Sequence, residues 1–228
     1  MGTLVRERNE MRQKNAYSKL TGHYDDVLTG RKWWSRLYMH GLWRVDDNRV
    51  ASEVLEMIPN GICGTVLDVP VGTAVFTASK YLRMGNAQIT GLDYSDEMIK
   101  LAELRAKQER IENLTLLQGD IGELPFENEA FDCVLSMNGF QAFPDKERAF
   151  AEVYRVLKPG GLFCGCFYVK GESRISDWIV RNVLNRKGLF LPPHYTKAQA
   201  EEKLHSMFGP DTYVRSEHSI LIFKCTKP

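Results

Sequence analysis

The sequence predicts an α/β protein built on a doubly wound, mostly parallel sheet. Three observations predict it. Thr65–Thr77, TVLDVPVGTAVFT, reads as a buried strand (Val66, Leu67, Val69) with an acid, Asp68, at its end, a tight turn through Pro70 and Gly72, and a helix opening at Thr73. About twenty residues past that turn a second apolar strand, QITGLDYS, ends in another acid, Asp93. Strand-like and helix-like segments then keep alternating towards the C-terminus, as repeated strand–helix–strand units do.

Taken in order, residues 6–20 read as a charged, marginal helix that needs a partner surface. An aromatic-rich stretch follows, with Tyr17, Tyr24, Trp33, Trp34, Tyr38 and Trp43. It reads either as a helical lid packing its rings on the core or as one whose rings line an acceptor pocket. Asp46 or Asp47 can cap the next helix, with Val50, Val54 and Ile58 on one face and Pro59-Asn60-Gly61 ending it. After the strands at 65–69 and 87–93, Ser95 is placed to cap a helix whose first turn holds Asp96 and Glu97, with Met98, Leu101, Ala102 and Ala106 as its apolar stripe. Further strands are expected at 114–118 and 131–138. Asp145 caps the helix of Phe150, Val153, Tyr154 and Leu157, which Lys158-Pro159-Gly160-Gly161 stops before LFCGCFYV. An insertion over 173–208 should hold one amphipathic helix of Ile175, Trp178, Ile179 and Val183, a rigid GLFLPPHYT linker, and a second helix opened by a Thr196–Gln199 capping box. TYVRS and SILIFKC read as a final hairpin joined at His218.

The strand–turn–helix unit at 65–77 presents backbone N–H groups at one edge of the sheet, the edge where open parallel sheets bind ligands. An acid at the offset of Asp93 can accept from ribose hydroxyls. A nicotinamide enzyme would place G-x-G-x-x-G in the turn; only Gly72 stands there, which counts against an oxidoreductase.

At these residues the chain resembles the class I S-adenosylmethionine-dependent methyltransferases. Their first motif is an acid, any residue, then glycines at three alternate positions. Gly72 matches the middle glycine, Pro70 replaces the first and Ala74 the third. Proline keeps the carbonyl that in this family accepts from the methionine ammonium, and alanine is small enough for close approach if its φ is negative. The resemblance implies that Asp68, Pro70, Gly72, Thr73, Asp93, Tyr94 and Met98 belong to the cofactor site. It gives Asp120 the exocyclic amine of adenine, Ile121 N–H the adenine ring, and Asn138 a place near the methionine end. Read from the residues alone, Asp120 could equally form a turn after its strand. The segment YDDVLTGRKWWSRLYMHGLWRVD is similar to the N-terminus of the ubiquinone/menaquinone-biosynthesis methyltransferases, with Tyr24-Asp25 and Trp43-Arg44 at the matching pairs.

The expected architecture is therefore a Rossmann-like, seven-stranded sheet with an antiparallel last strand and a helical lid. Its parts would be a lid over 1–60, a cofactor-binding core over 61–170, an insertion over 171–209 and a hairpin over 210–228. The expected function is methyl transfer from S-adenosylmethionine to a small molecule by in-line displacement. The residue set for the acceptor is Tyr24, Trp33, Trp34 and Trp178, with His194, flanked by two prolines and Tyr195, as the candidate base. An inert cofactor-binding module is the alternative, supported by Pro70 and Ala74.

Composition narrows the partners. Apolar residues make up 43% and charged ones 26%, ordinary for a globular chain, and the formal net charge is +1. No overall field draws in nucleic acid or an anionic membrane, so the expected partner is a small molecule. Asn138-Gly139-Phe140-Gln141 stands where adenine-modifying nucleic-acid methyltransferases carry Asn or Asp, two prolines and an aromatic. MGTLVRERNEMRQK is charged and unlike a secretory signal, Arg6 stands where myristoylation needs Ser or Thr, and no apolar run approaches membrane-spanning length. The five cysteines lack metal or disulfide spacing, and Cys164 and Cys166 read as buried strand residues. A cytoplasmic protein with no metal is expected.

Overall fold

The structure, a computed structural model, describes residues 47–228. The aromatic segment with Tyr24, Trp33 and Trp34 lies outside the described residues. Seven strands form one sheet: β1 (Gly64–Asp68), β2 (Ala87–Asp93), β3 (Leu114–Gln118), β4 (Phe131–Met137), β5 (Leu157–Tyr168), β6 (Tyr213–Glu217) and β7 (Ile220–Thr226). Their order is β3-β2-β1-β4-β5-β7-β6. All neighbours from β3 to β5 are parallel, and β7 runs antiparallel to both β5 and β6. The strand order reverses direction beside β1, between β1 and β4, where a doubly wound sheet opens a crevice at its carboxyl edge.

The strands are apolar on both sides because helices cover both. Val66, Ile89, Cys133, Leu135, Cys164 and Cys166 face one layer, formed with α1 (Asp47–Glu56), α2 (Ala78–Arg83) and α3 (Asp96–Glu109). Leu67, Val134, Phe163, Phe167 and Phe223 face the other, where α4 (Lys146–Val156) lays Phe150 and Val153 against them. Cys164 and Cys166 thus share a buried face, as their spacing implies. Three helices show their predicted signals: Val50, Val54 and Ile58 are buried, Ser95 caps α3 through Met98 N–H, and Asp145 caps α4 through Arg148 N–H.

Three expectations need correction. The helix foreseen from Thr73 begins at Ala78, because Gly72 and Ala74 both adopt φ of +55° and interrupt any helical run between them. The K-P-G-G stretch does not stand outside the sheet. Leu157 already pairs with Phe131, and the ladder then resumes at Leu162 opposite Cys133, so residues 158–161 are looped out within β5, with Gly160 at φ +74°. In the insertion, α5 (Arg174–Ile179) continues through a π-helical turn, Val180–Leu184, into a short α6 (Asn185–Lys187). Ile179 and Val180 enter the core while Ile175 and Trp178 stay 52% and 57% exposed. Two adjacent apolar residues set the buried side, and the extra residue of the π turn shifts the phase of those that follow. The helix α7 (Lys197–Phe208) has the predicted Thr196–Gln199 capping box and buries Leu204 and Phe208.

A guanidinium ties the first described helix to the far edge of the sheet. Arg215 on β6 grips Glu53 of α1 through Nε, at 2.7 Å, and Nη2, and also contacts Glu217, which pairs with Arg49 of α1.

The centre of the sheet is closed tightly. A methyl group on Gly165 of β5 would fall well inside contact distance of the Ser136 carbonyl oxygen and reach 3.0 Å from Phe223 Cζ. Gly165→Ala should therefore destabilise the fold by roughly 1–3 kcal/mol, seen as a lower urea midpoint. Gly61→Ala, with open space around it, should stay within about 0.5 kcal/mol of the parent.

Candidate active site

The turn after β1 is held from both sides. Val69 N–H donates to Leu135 O of β4 at 2.9 Å, and Val71 N–H to Leu92 O of β2 at 2.9 Å. Gly72 N–H donates to Asp93 Oδ2 at 2.9 Å, and its α-carbon faces open space, with no atom within 4 Å of where a Cβ would stand. Ala74 repeats the left-handed conformation of Gly72 while buried. Its φ is positive, contrary to the condition on which an alanine there would be free of strain, and that costs roughly 1–2 kcal/mol. The backbone of a glycine-rich turn is kept although one glycine is an alanine.

Asp93 organises the neighbouring turn as well. Its Oδ1 accepts from Ser95 N–H at 2.9 Å, at the start of α3. Burial pushes its carboxyl up to about 6, against the pull of the Ser95, Gly72 and Tyr94 amides. Three amides occupy three of about four lone-pair directions, so the clamp leaves acceptor capacity for one further donor at the rim. Tyr94 stands at that rim, 36% exposed, with its carbonyl accepting from Gln118. Met98 and Thr73 are buried below it, and the Thr73 carbonyl accepts from Arg105 Nε at 2.8 Å.

Asp68 lies deeper than the sequence suggests. It is 1% exposed and takes the Tyr81 hydroxyl of α2. Burial is the main reason its carboxyl rises to about 7, and the nearby Asp93 adds repulsion. It braces the turn from beneath. Asp120, after β3, accepts from Gly122 N–H at 2.7 Å and so caps the short 3-10 turn Ile121–Glu123. Its turn-forming role is real, and Asp120 with the buried Ile121 also lines a narrow cleft completed by Gly122, Pro144, Asp145 and Arg148. Asn138, exposed at φ +54°, follows β4. A Cβ on Gly139 would strike the Pro70 ring and Phe143, so the turn after β1 sits directly on the backbone after β4.

Pro70, Gly72, Thr73, Asp93, Tyr94, Met98, Asp120, Ile121 and Asn138 therefore gather at the carboxyl ends of four adjacent parallel strands. Acceptor oxygens, an open glycine and a small buried floor suit a nucleoside-bearing ligand. The only sequence signal for the seat at Gly139 is a glycine directly after a strand-end Asn, too common a pair to mark a site.

His194 belongs to a second group, over the end of β5. Its Nε2 donates to Asn185 Oδ1 at 3.0 Å, and its ring meets Tyr168 edge-on at 5.3 Å. Nδ1 is buried and has no hydrogen-bond partner among the described residues. Burial, aided by the charges of Lys146 and Lys170, lowers its pKa to about 4. The buried Lys146 ties the two loops by donating to Phe143 O at 3.0 Å and Leu191 O at 2.6 Å, and burial lowers it to about 8. Gln141 joins them again, accepting from Leu191 N–H at 2.8 Å and from Tyr168 N–H at 3.2 Å. Neither Lys146 nor Gln141 stands out in the sequence, because their partners are backbone groups distant along the chain. Trp178 is on the outward side of α5. Among the described residues no three His, Cys, Asp or Glu side chains converge as metal ligands, and no helix is long and apolar enough to cross a membrane.

Residues 66–161, which contain the turn after β1, both strand-end acids and the seat at Gly139, match the methyltransferase domain family. This stretch is similar to a methyltransferase domain. The resemblance drawn from Asp68, Gly72, Asp93 and Asp120 is borne out, as is the mostly parallel seven-stranded fold. The demethylmenaquinone methyltransferase of Lactococcus lactis is 30% identical over 156 residues, 67% of this chain and 57% of that protein. The chain thus spans less than two thirds of the length of this curated relative. Among solved structures, phosphoethanolamine N-methyltransferase 2 of Haemonchus contortus, in complex with S-adenosyl-L-methionine, superposes with a TM-score of 0.65 at 18% identity, over 79% of this chain and 52% of that one. A SAM-dependent methyltransferase from Aquifex aeolicus gives 0.58 at 17% identity, over 80% and 94%. At these identities the structural likenesses speak for the fold.

The buried acids Asp68 and Asp93 make stability depend on pH. Asp68 titrates near 7 in the fold against 3.8 normally, so its contribution is full below about 4 and lost as pH rises through about 7. Asp93 acts with the same sign up to about 6. Asp68→Asn removes the larger part. Its stability relative to the parent should improve between about pH 5 and about pH 8, measured by urea unfolding at both.

Proposed function

We propose that the chain is a cytoplasmic S-adenosylmethionine-dependent methyltransferase with a small-molecule acceptor. The observation that carries this reading is the open, left-handed Gly72 turn clamped by the Asp93 carboxylate. The donor set fits the cofactor. Asp93 retains acceptor capacity for a ribose hydroxyl, and Asp120 and Ile121 N–H suit the edge of adenine. The Pro70 carbonyl and Asn138 stand at the end of the crevice suited to the methionine portion. Thr73, Tyr94 and Met98 shape its wall, and Asp68 is a positioning residue acting through Tyr81.

When bound, the cofactor supplies an electrophilic methyl group on a sulfonium, which leaves as a neutral sulfide. The chain's part is to hold an acceptor in line and keep water away. The 141–146 loop and the insertion, joined by Lys146 and Gln141, offer the acceptor side. His194 is neutral at pH 7 and presents Nδ1 as an acceptor, which orients a donor group on the substrate and makes it a weak base. Tyr24, Trp33 and Trp34 are further candidates for the acceptor side.

Asp93→Asn preserves size and removes the charge. It should weaken S-adenosylmethionine binding by roughly 1.5–3 kcal/mol in calorimetry, and undiminished affinity in a folded variant would remove Asp93 from the site. If His194 receives the acceptor's proton, kcat/KM should fall in acid with an apparent pKa of about 4, and His194→Ala should lack that limb.

A further inference from the structure

The net charge of the whole chain conceals a local excess on the insertion. Between residues 170 and 187 the cations are Lys170, Arg174, Arg181, Arg186 and Lys187, and the acids are Glu172 and Asp177. Both acids are engaged within the fold. Asp177 accepts from the Tyr168 hydroxyl at 2.6 Å and from Gly171 N–H at 3.0 Å, and Glu172 accepts from Ser216 at 3.4 Å. The five cations are exposed, and none forms an ion pair among the described residues.

Two large apolar side chains stand among those charges. Ile175 and Trp178 lie one turn apart on α5 and are more than half exposed. Arg174 precedes Trp178 by four residues on α5, which places it beside Trp178, and Arg181 follows in the π turn, likewise exposed. The opposite side of the same helix is fixed in the core by Ser176, Ile179 and Val180. Fixing the inner side orients the outer one, so the apolar pair and its cationic border project together as a rigid unit. A tryptophan has an apolar body and a polar N–H, suited to the boundary between lipid chains and headgroups. Arginines beside it would meet anionic headgroups, and the five cations of the segment outnumber its two acids.

From this juxtaposition we propose that the outer face of α5 is a docking surface for an anionic lipid bilayer, with Trp178 and Ile175 entering the headgroup layer and Arg174, Arg181, Arg186 and Lys187 binding its charge. The contact is peripheral and involves no spanning segment. A protein–protein site would need no excess of one charge, and a nucleic-acid site would not need the aliphatic Ile175. The proposal is independent of the methyl-transfer reading, since its test involves neither cofactor nor acceptor.

The test is co-sedimentation of the full chain with sucrose-loaded vesicles, either pure phosphatidylcholine or phosphatidylcholine containing phosphatidylglycerol. The expected result is binding to the anionic vesicles only, weakened by added salt. Trp178→Ala should reduce the partition coefficient several-fold, and the double reversal R174E/R181E should abolish it. Both variants alter exposed positions, and unchanged circular dichroism verifies their fold. In the parent, Trp178 emission should shift to the blue on binding, with the shift absent from Trp178→Phe. Failure of the parent to sediment, or sedimentation unaffected by both variants, would overturn the proposal. So would binding to polyuridylate without binding to vesicles, or self-association in the absence of lipid that the same variants abolish.

Discussion

The arrangement at the carboxyl edge depends on one buried carboxylate. Asp93 takes the N–H of Gly72 from the turn after β1 and the N–H of Ser95 from the start of α3. These segments leave different strands and would otherwise move separately. A carboxylate can serve both because it has two oxygens and accepts without donating. Burying it raises its pKa, and the amides offset part of that cost. The same group is thus both a structural hub and the acid best placed for a ribose.

The turn it holds is also pressed from the other side. Pro70 lies on the bare backbone of Gly139, and Asp68 braces it from below through Tyr81. Three contacts from β2, β4 and α2 therefore determine the conformation of residues 70–74. That explains how Ala74 can be kept in the left-handed region: surrounding structure, rather than local preference, decides its dihedrals. The insertion is secured by a comparable device, since the ammonium group of Lys146 bridges backbone carbonyls from two loops.

Features set by local pattern were legible in the sequence. The strands appear as short apolar runs, and Ser95, Asp145 and Thr196 announce their helices because capping is a contact over three residues. Asp93 and Asp120 could be located because each stands where the chain leaves a strand at the carboxyl edge of the sheet. What escaped depended on distant partners. The delayed start of α2 follows from dihedrals imposed by tertiary contact. The looped-out 158–161 segment follows from the pairing of Leu157 with Phe131, and the outward face of α5 from the burial of the adjacent Ile179 and Val180. The inward aim of Asp68 depends on a tyrosine thirteen residues away.

The link between Arg215 and Glu53 has a consequence for how the domain is made. The two residues are 162 positions apart, and the strand bearing Arg215 reaches the sheet only through β7. As the chain leaves the ribosome, α1 is complete long before its ion-pair partner, which appears 162 residues later. Meanwhile β5 waits for β7 to cover its open edge. Long-range closure of this kind slows folding and leaves an unpaired strand exposed during synthesis. The sheet is therefore sealed by its late strands, and a nascent chain halted before β7 would carry an aggregation-prone half sheet with its first described helix unlatched.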